Sequence, residues 1–376
     1  MKSYNSRFEN KKRIVVKIGS NVLTSHQGLN TSVVQSVSRQ ISMLIDKGFE
    51  VVLVSSGAMA AGQKKIGLDR RPDEIPKRQA IAAVGQAGLI MEYEKAFGRY
   101  GKKVAQILLT HDDLRHRRRY LNSRNTLYTL LEWNVVPIIN ENDTVMIEEI
   151  EFGDNDNLAA MITLLMDADI FINLTDIDGL YTKDPRTNKD AELIREVKTI
   201  GKSIEKIAGD IPGALGRGGM LSKIKAAKKL TRAGVPMIIA KGDRKDVLIR
   251  LCEGEQLGTY FIPDKKRLPS RKCWIAFTMK AEGVLYIDDG AVKAILEKGK
   301  SLLPIGIVKV EGEFNVGACV EFYEASGNGL GRGLVNYSAA DIRKIAGLKT
   351  QQVEERLGHK PYDEVIHRDN MTVTGV

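Results

Sequence analysis

Two lysines stand where ordinary surface lysines do not. Lys17 interrupts the apolar run "RIVVKI" (13–18) and is followed at once by Gly19 and Ser20. A lysine inside an otherwise apolar strand either snorkels to the surface or aims its charge at a ligand above the sheet. Lys223 ends "GRGGMLSK" (216–223), in which three glycines precede a helical pattern. Backbone N–H groups at such a helix start can hold phosphate, and Lys223, about one turn inside, could reach the same anion. The other reading of this segment is a flexible glycine turn with a surface lysine. Two cations converging on one anion fit phosphoryl transfer, where charge developing on the moving group must be met by fixed positive groups. A third segment, "GDNDNLAA" (153–160), crowds Asp154, Asn155, Asp156 and Asn157 into a helix start. One or two such groups suffice for capping, so the others need another task.

Other chemistries find less support. The glycines before the two "GKS" triplets (201–203 and 299–301) are missing, with Glu196 and Ala294 in their places, so neither is a P-loop. "HRD" (367–369) has Thr374 where a protein kinase would have asparagine, and no DFG follows. No G-x-G-x-x-G/A follows the first strand, which leaves a Rossmann cofactor site weakly supported. Cys252, Cys273 and Cys319 are odd in number and far apart, forming neither a disulfide framework nor a metal quartet. The five histidines lack zinc-site spacing, with His111 and His116 five apart rather than four.

The groups that could do chemistry must be positioned by a scaffold, and the chain repeats strand, loop and helix. Strands are expected at 13–18, 50–54, 104–109, 135–139, 169–175 and 235–240, and helices at 31–47, 77–97, 120–133, after "GDNDN", and at 219–233. The strands are apolar throughout rather than alternating, as in a parallel sheet covered on both faces. Ligands of such sheets bind beyond the carboxyl ends of the strands. There lie "GS" (19–20), "SSG" (55–57), "NEND" (140–143), "TDIDG" (175–179) and "KGD" (241–243). The expectation is a three-layer α/β sandwich over 1–262. A basic, proline-bearing linker follows over 263–272, then a small β-rich barrel with one or two helices over 273–366 and a tail over 367–376. The formal charge is +10, yet residues 271–376 hold 14 Lys plus Arg and 14 Asp plus Glu, so the excess lies in 1–270. "RHRRR" (115–119) supplies part of it; RNA, an anionic metabolite, a subunit neighbour or plain solvent could face that cluster. No stretch approaches a membrane span and the N-terminus lacks a signal-like apolar run, so the expected location is cytoplasmic.

Taken in order, "VVKIGSNVLT", "LVSSGAMAAG", "AAVGQAGL", "PIINENDTV", "FGDNDNLAA", "LTDIDGLYTKDPR", "GGMLSK" and "GAVKAILEKGKSLLPIGI" resemble the glutamate 5-kinases. In that family an amino-acid-kinase domain with a mostly parallel sheet precedes a PUA domain. The resemblance runs from about residue 12 to the end. It implies ATP and Mg2+ as cofactors and phosphorylation of the side-chain carboxylate of L-glutamate in the first step of proline biosynthesis. By resemblance, Lys17, Lys223 and Asp156 surround the transferring group, and Ser56, Asp143 and Asn155 contact glutamate. Thr175 and Asp176, with Arg217, Gly218, Gly219, Met220, Leu221, Ser222 and Lys223, and Lys17 beside them, form the nucleotide site. Arg217 stands where relatives usually carry threonine, which bears on nucleotide preference and phosphate contacts.

Asp156 lies too near the charge of the acceptor carboxylate to contact it comfortably, and serves better by orienting the two lysines or holding a Mg2+ water. Asn155 can donate its amide to substrate, Asn157 secures the turn, and Asp178 and Asp184 read as turn residues. The resemblance further implies proline feedback inhibition, a homodimer or homotetramer, and a nearby glutamyl phosphate reductase. The rivals are another kinase of this fold, acting on N-acetylglutamate, aspartate, carbamate or a nucleotide, and an RNA-binding protein acting through the PUA-like domain.

Overall fold

The computed structural model describes residues 8, 12–25, 28–68, 70, 72–145, 155–209, 219–264 and 267–373. The chain divides into two compact units, Met1–Arg267 and Leu268–Val376. The first contains, in order, β1 (Arg13–Ile18), α1 (Ser20–Leu23), β2 (Thr24–Ser25), β3 (Gly28–Leu29), α2 (Thr31–Asp46), β4 (Glu50–Val54), α3 (Ala58–Ile66), α4 (Ile75–Gly98), β5 (Lys103–Leu109), α5 (His111–Arg115), α6 (Arg117–Glu132), β6 (Val135–Glu141), α7 (Asn155–Leu165), β7 (Ile170–Thr175), β8 (Glu196–Val197), α8 (Lys202–Gly209), α9 (Met220–Arg232), β9 (Met237–Lys241), α10 (Val247–Cys252) and β10 (Thr259–Phe261).

Eight strands form one sheet in the order β5-β6-β4-β1-β7-β9-β10-β8. Every ladder in it is parallel except β9 with β10. Side chains alternate between the two faces of a strand, and β1 exploits this. Ile14, Val16 and Ile18 enter a core shared with Val34, Val37 and Ile41 of α2 and Tyr93 and Phe97 of α4. Lys17, on the other face, reaches α7. The helices therefore cover both faces of the sheet.

Two glycine positions bring the site's supports close together. Gly57 (φ +100°) takes the left-handed turn that leads from β4 into α3, a conformation that costs other L-residues about 1–2 kcal/mol. Where α3 crosses α4, a Cβ on Gly62 would lie 1.8 Å from the Ile81 carbonyl oxygen, and one on Gly85 would lie 1.7 Å from that of Ala58. Only backbones without side chains can approach this closely.

The elements differ from the sequence expectations in a few places. A helical turn, α5, precedes α6, because Thr110 and Asp113 form a reciprocal capping box. Helix α6 then starts at Arg117 rather than at 120, and β6 continues through Asn140 and Glu141.

The second unit contains α11 (Ser270–Phe277), β11 (Gly283–Ile287), α12 (Asp289–Leu296), β12 (Ile307–Glu311), β13 (Cys319–Glu324), β14 (Gly329–Leu334), α13 (Ala339–Ile345), α14 (Val353–Leu357) and β15 (Met371–Thr372). Its five strands form one mixed sheet in the order β12-β11-β13-β14-β15. The core includes Leu285, Ile287, Phe322, Tyr337 and Ile342. Helix α11 begins inside the segment read as a linker, and β15, inside the segment read as a tail, pairs with β14. Among the described residues four helices accompany the sheet. Among the described residues no helix is long and apolar enough to cross a membrane.

Candidate active site

Asp156 is the centre of the site. It lies in the first turn of α7 and is 1% exposed. Its Oδ1 accepts from Lys17 Nζ at 2.5 Å and Asn173 Nδ2 at 2.9 Å. Its Oδ2 accepts from Ser222 Oγ at 2.6 Å and Lys223 Nζ at 3.1 Å. Lys17 comes from β1, Asn173 from β7, and Ser222 and Lys223 from α9, so three elements meet on a carboxylate borne by a fourth, α7. Burial opposes its charge, but the Lys17 and Lys223 ammonium groups and the bonds from Lys17 and Ser222 overcome that penalty, holding the carboxyl well below the usual range. Lys17 and Lys223 are themselves buried. Both charges are thus held out of water at the carboxyl-terminal edge of the sheet, where electrostatic interactions are strongest.

A network of amides lies beside this centre. Asn155 Nδ2 is within hydrogen-bond distance of Ser56 Oγ (2.9 Å), the Ser55 carbonyl oxygen (3.1 Å) and Asn140 Oδ1 (3.3 Å). Asn140 donates to Gln86 Oε1, and Gln86 donates to the Glu141 carbonyl oxygen. The Ser55 hydroxyl meets the Tyr93 hydroxyl at 2.9 Å. Burial, partly offset by the Ser55 bond, raises the Tyr93 phenol beyond its ordinary range, so it remains a neutral donor. Asn155 Oδ1 has no hydrogen-bond partner among the described residues. A buried acceptor without a partner is costly. Asp143 follows β6 in a short 3-10 turn, Asp143–Val145.

On the other side, Thr175 ends β7 and its hydroxyl donates to Asp176 Oδ1 at 2.9 Å, while Asn21 Nδ2 donates to Asp176 Oδ2 at 3.0 Å. Burial raises the Asp176 carboxyl, and the Asn21 and Thr175 bonds outweigh it, so the net direction is downward. Gly219 precedes α9, Met220 is buried beneath it, and Leu221 is 36% exposed. Arg217, Gly218 and Asp154 lie outside the described residues.

The structure therefore joins Lys17, Lys223, Asp156 and Ser222 in one cluster and Ser56 with Asn155 in an adjoining one. The other residues singled out in the sequence have different partners. Asn157 accepts from Lys229 Nζ at 2.5 Å, linking α7 to α9 rather than merely securing a turn. Asp178 pairs with Arg244 at 2.6 Å, and Asp184 holds Arg186 two residues on at 2.9 Å. Sequence reading missed Asn173, Gln86 and the role of Asn140. Asn173 carried the same signal as Lys17, a polar residue in an apolar strand. Gln86 carried none, because one glutamine on a long helix is ordinary. Among the described residues no three His, Cys, Asp or Glu side chains gather as metal ligands.

Comparison with known proteins bears on this geometry. The model of the Amino acid kinase family matches residues 12–241 and that of the PUA domain matches residues 283–357. The glutamate 5-kinase of Syntrophus aciditrophicus (strain SB) is 53% identical over 365 residues, spanning 97% of this chain and 95% of that protein. That of Geobacter sulfurreducens is 50% identical over 363 residues, spanning 96% and 97%. A solved UMP kinase from Bacillus anthracis is similar with a TM-score of 0.46 and 17% identity, over 68% of this chain and 97% of that one. With a family model matching most of its length and relatives at this identity end to end, the chain belongs to the glutamate 5-kinases, within the amino acid kinase family.

Proposed function

We propose that the protein transfers the γ-phosphoryl group of MgATP to the side-chain carboxylate of L-glutamate, giving L-glutamyl 5-phosphate and ADP, the first step of proline biosynthesis. The observation that carries this reading is the convergence of Lys17 and Lys223 on Asp156 beside the Ser56–Asn155 amide cluster. Relatives bearing the glutamate 5-kinase name at about half identity favour it over the other acceptors and over an RNA-binding function.

A glutamate side chain has an unperturbed pKa of about 4.3 and is ionised near neutrality. The nucleophile therefore needs no general base. The difficulty is bringing a carboxylate to a polyanion. One carboxylate oxygen forms a bond to the γ-phosphorus as the bond from that phosphorus to the bridging oxygen of ADP breaks, and ADP leaves with the electron pair. Lys17 and Lys223 meet the charge spread over the transferring oxygens. Asp156 holds the two ammonium groups apart and aimed. Ser56, Asn155 and Asp143 receive glutamate, with the open Asn155 acceptor available to its ammonium. Thr175, Asp176 and the segment 217–223 receive the nucleotide. Asp156 is poorly suited to bind Mg2+ directly, since each of its oxygens already accepts two hydrogen bonds. Mg2+ therefore belongs to the phosphates of MgATP.

Feedback inhibition by proline fits the same cluster, since proline is a cyclised glutamate skeleton. The segment following Asp143, within 144–152, would couple the two; residues 146–152 lie outside the described residues. A homodimer or homotetramer, a cytoplasmic location, where ATP is made available, and hand-over of the labile acyl phosphate to a reductase complete the proposal. The deciding assay offers glutamate, N-acetylglutamate, aspartate, carbamate and nucleoside monophosphates with MgATP, and traps acyl phosphate with hydroxylamine. A hydroxamate that requires glutamate is expected. ADP release with another acceptor and none with glutamate would overturn the reading.

A further inference from the structure

We propose that Asn173 is a positioning residue for phosphoryl transfer, its side-chain amide fixing the Asp156 carboxylate and thereby the aim of Lys17. This rests on the function proposed above. Asn173 stands in the middle of β7, "IFINLT", and is 0% exposed. A strand covered on both faces is ordinarily filled with Val, Ile or Leu, and a buried amide costs stability unless its hydrogen bonds are made. Asn173 makes only part of its set: Nδ2 donates to Asp156 Oδ1 at 2.9 Å, while Oδ1 has no partner among the described residues. The position is therefore poorly explained by packing and well explained by the one bond it makes.

The register gives that bond its purpose. In the parallel ladder of β1 with β7, Asn173 lies directly opposite Lys17. Both side chains reach the same carboxylate oxygen, Lys17 at 2.5 Å and Asn173 at 2.9 Å. The second oxygen is arranged alike, with one ammonium, Lys223, and one neutral donor, Ser222. Each oxygen thus has a cation that can lean toward an incoming phosphoryl group and an uncharged donor that stays. The two neutral donors hold the carboxylate plane against rotation when the cations are drawn away. Without Asn173, Oδ1 is held by Lys17 alone, and the carboxylate is free to follow its lysine. A misplacement of about 1 Å at such a site can cost about 100-fold in rate.

The test uses Asn173→Leu and Asn173→Asp in the full chain, assayed by glutamate-dependent hydroxamate formation. For Asn173→Leu the expected result is a kcat reduced roughly 10- to 100-fold, with KM for glutamate and for MgATP held within about threefold and an unfolding midpoint at or above the parent's. Asn173→Asp supplies the donor only while its new carboxyl is protonated. Two adjacent carboxyls share one proton, so its kcat should fall with rising pH along a limb absent from the parent. The other titratable groups around that position are Asp156 on α7, Lys17 on β1, Lys223 on α9 and Asp176 at the end of β7, all unchanged in both variants. A Leu variant with the parent's kcat overturns the proposal. So does an Asp variant whose kcat follows the parent's pH profile, which remains decisive if the Leu variant does not fold. Failure of the underlying function would appear separately, as absence of glutamate-dependent product from the parent itself.

Discussion

Replacing Asp156 with asparagine tests whether the centre of the site is an electrostatic device. The substitution preserves shape and removes one charge. At an effective dielectric constant of about 20, a unit charge pair at the Lys17 distance of 2.5 Å is worth roughly 7 kcal/mol, and one at the Lys223 distance of 3.1 Å roughly 5 kcal/mol. Desolvation of the three ions cancels much of this. Removing one member of a buried ion pair nonetheless costs about 3–5 kcal/mol, because the charges left behind remain buried. For a unit of the size of Met1–Arg267, this corresponds to a fall in Tm on the order of 10 °C. The pH dependence adds a second constraint. The folded-state pKa of Asp156 is depressed, so its stabilisation is complete above the unfolded carboxyl value of about 3.9 and is lost as pH falls below it toward the folded value. The stability gap between parent and Asp156→Asn should be constant from about pH 5 upward and close in acid. Urea unfolding across pH, followed by a signal from the first unit, measures both features. On the proposed function MgATP brings anionic oxygens to the same lysines, and it should then recover more stability in the variant than in the parent. A variant within about 1 kcal/mol of the parent at pH 7, or a gap that persists unchanged well below pH 4, would refute the reasoning.

Further outcomes follow from the same geometry. Lys17→Ala and Lys223→Ala should each lower kcat by about 100-fold or more, with a much smaller effect on the unfolding midpoint, since Asp156 retains one lysine in either variant. Asn155→Ala removes the amide that joins Ser56 to Asn140; steady-state kinetics should give a KM for glutamate raised at least tenfold, with KM for MgATP little changed. Gly85→Ala would place a Cβ 1.7 Å from the Ala58 carbonyl oxygen, and chemical denaturation should register a loss of about 1–3 kcal/mol or more from the forced separation of α3 and α4. Burial pushes the Cys252 and Cys319 thiols up to about 12, so both should resist a thiol reagent at pH 8 in the native protein and react once urea unfolds it.

What the sequence revealed about this site depended on how unusual each residue was against its local background. Lys17 was legible because a charge in "RIVVKI" has no packing explanation, and the apolar strands were legible because a doubly covered parallel sheet leaves no polar alternation. Asn173 breaks its strand in the same way, but a neutral amide is a weaker signal than a charge, and only the β1–β7 register sets it beside Lys17. That register is a long-range property: it joins residues 156 positions apart, and local patterning carries no trace of it. The amide network was hidden for the opposite reason. Gln86, Asn140 and Asn155 come from α4, β6 and α7; Asn155 stood out in the crowded helix start "GDNDN", but Gln86 and Asn140 are ordinary where they stand. Gln86 follows Gly85, where the backbone of α4 lies against that of α3, a contact between elements that the local sequence does not announce. The charged half of the site could thus be found residue by residue, because burying a charge demands a reason at every position. The neutral half was legible only in part, as Ser56 and Asn155, because a buried amide needs a partner but gives no sign in the sequence of which one.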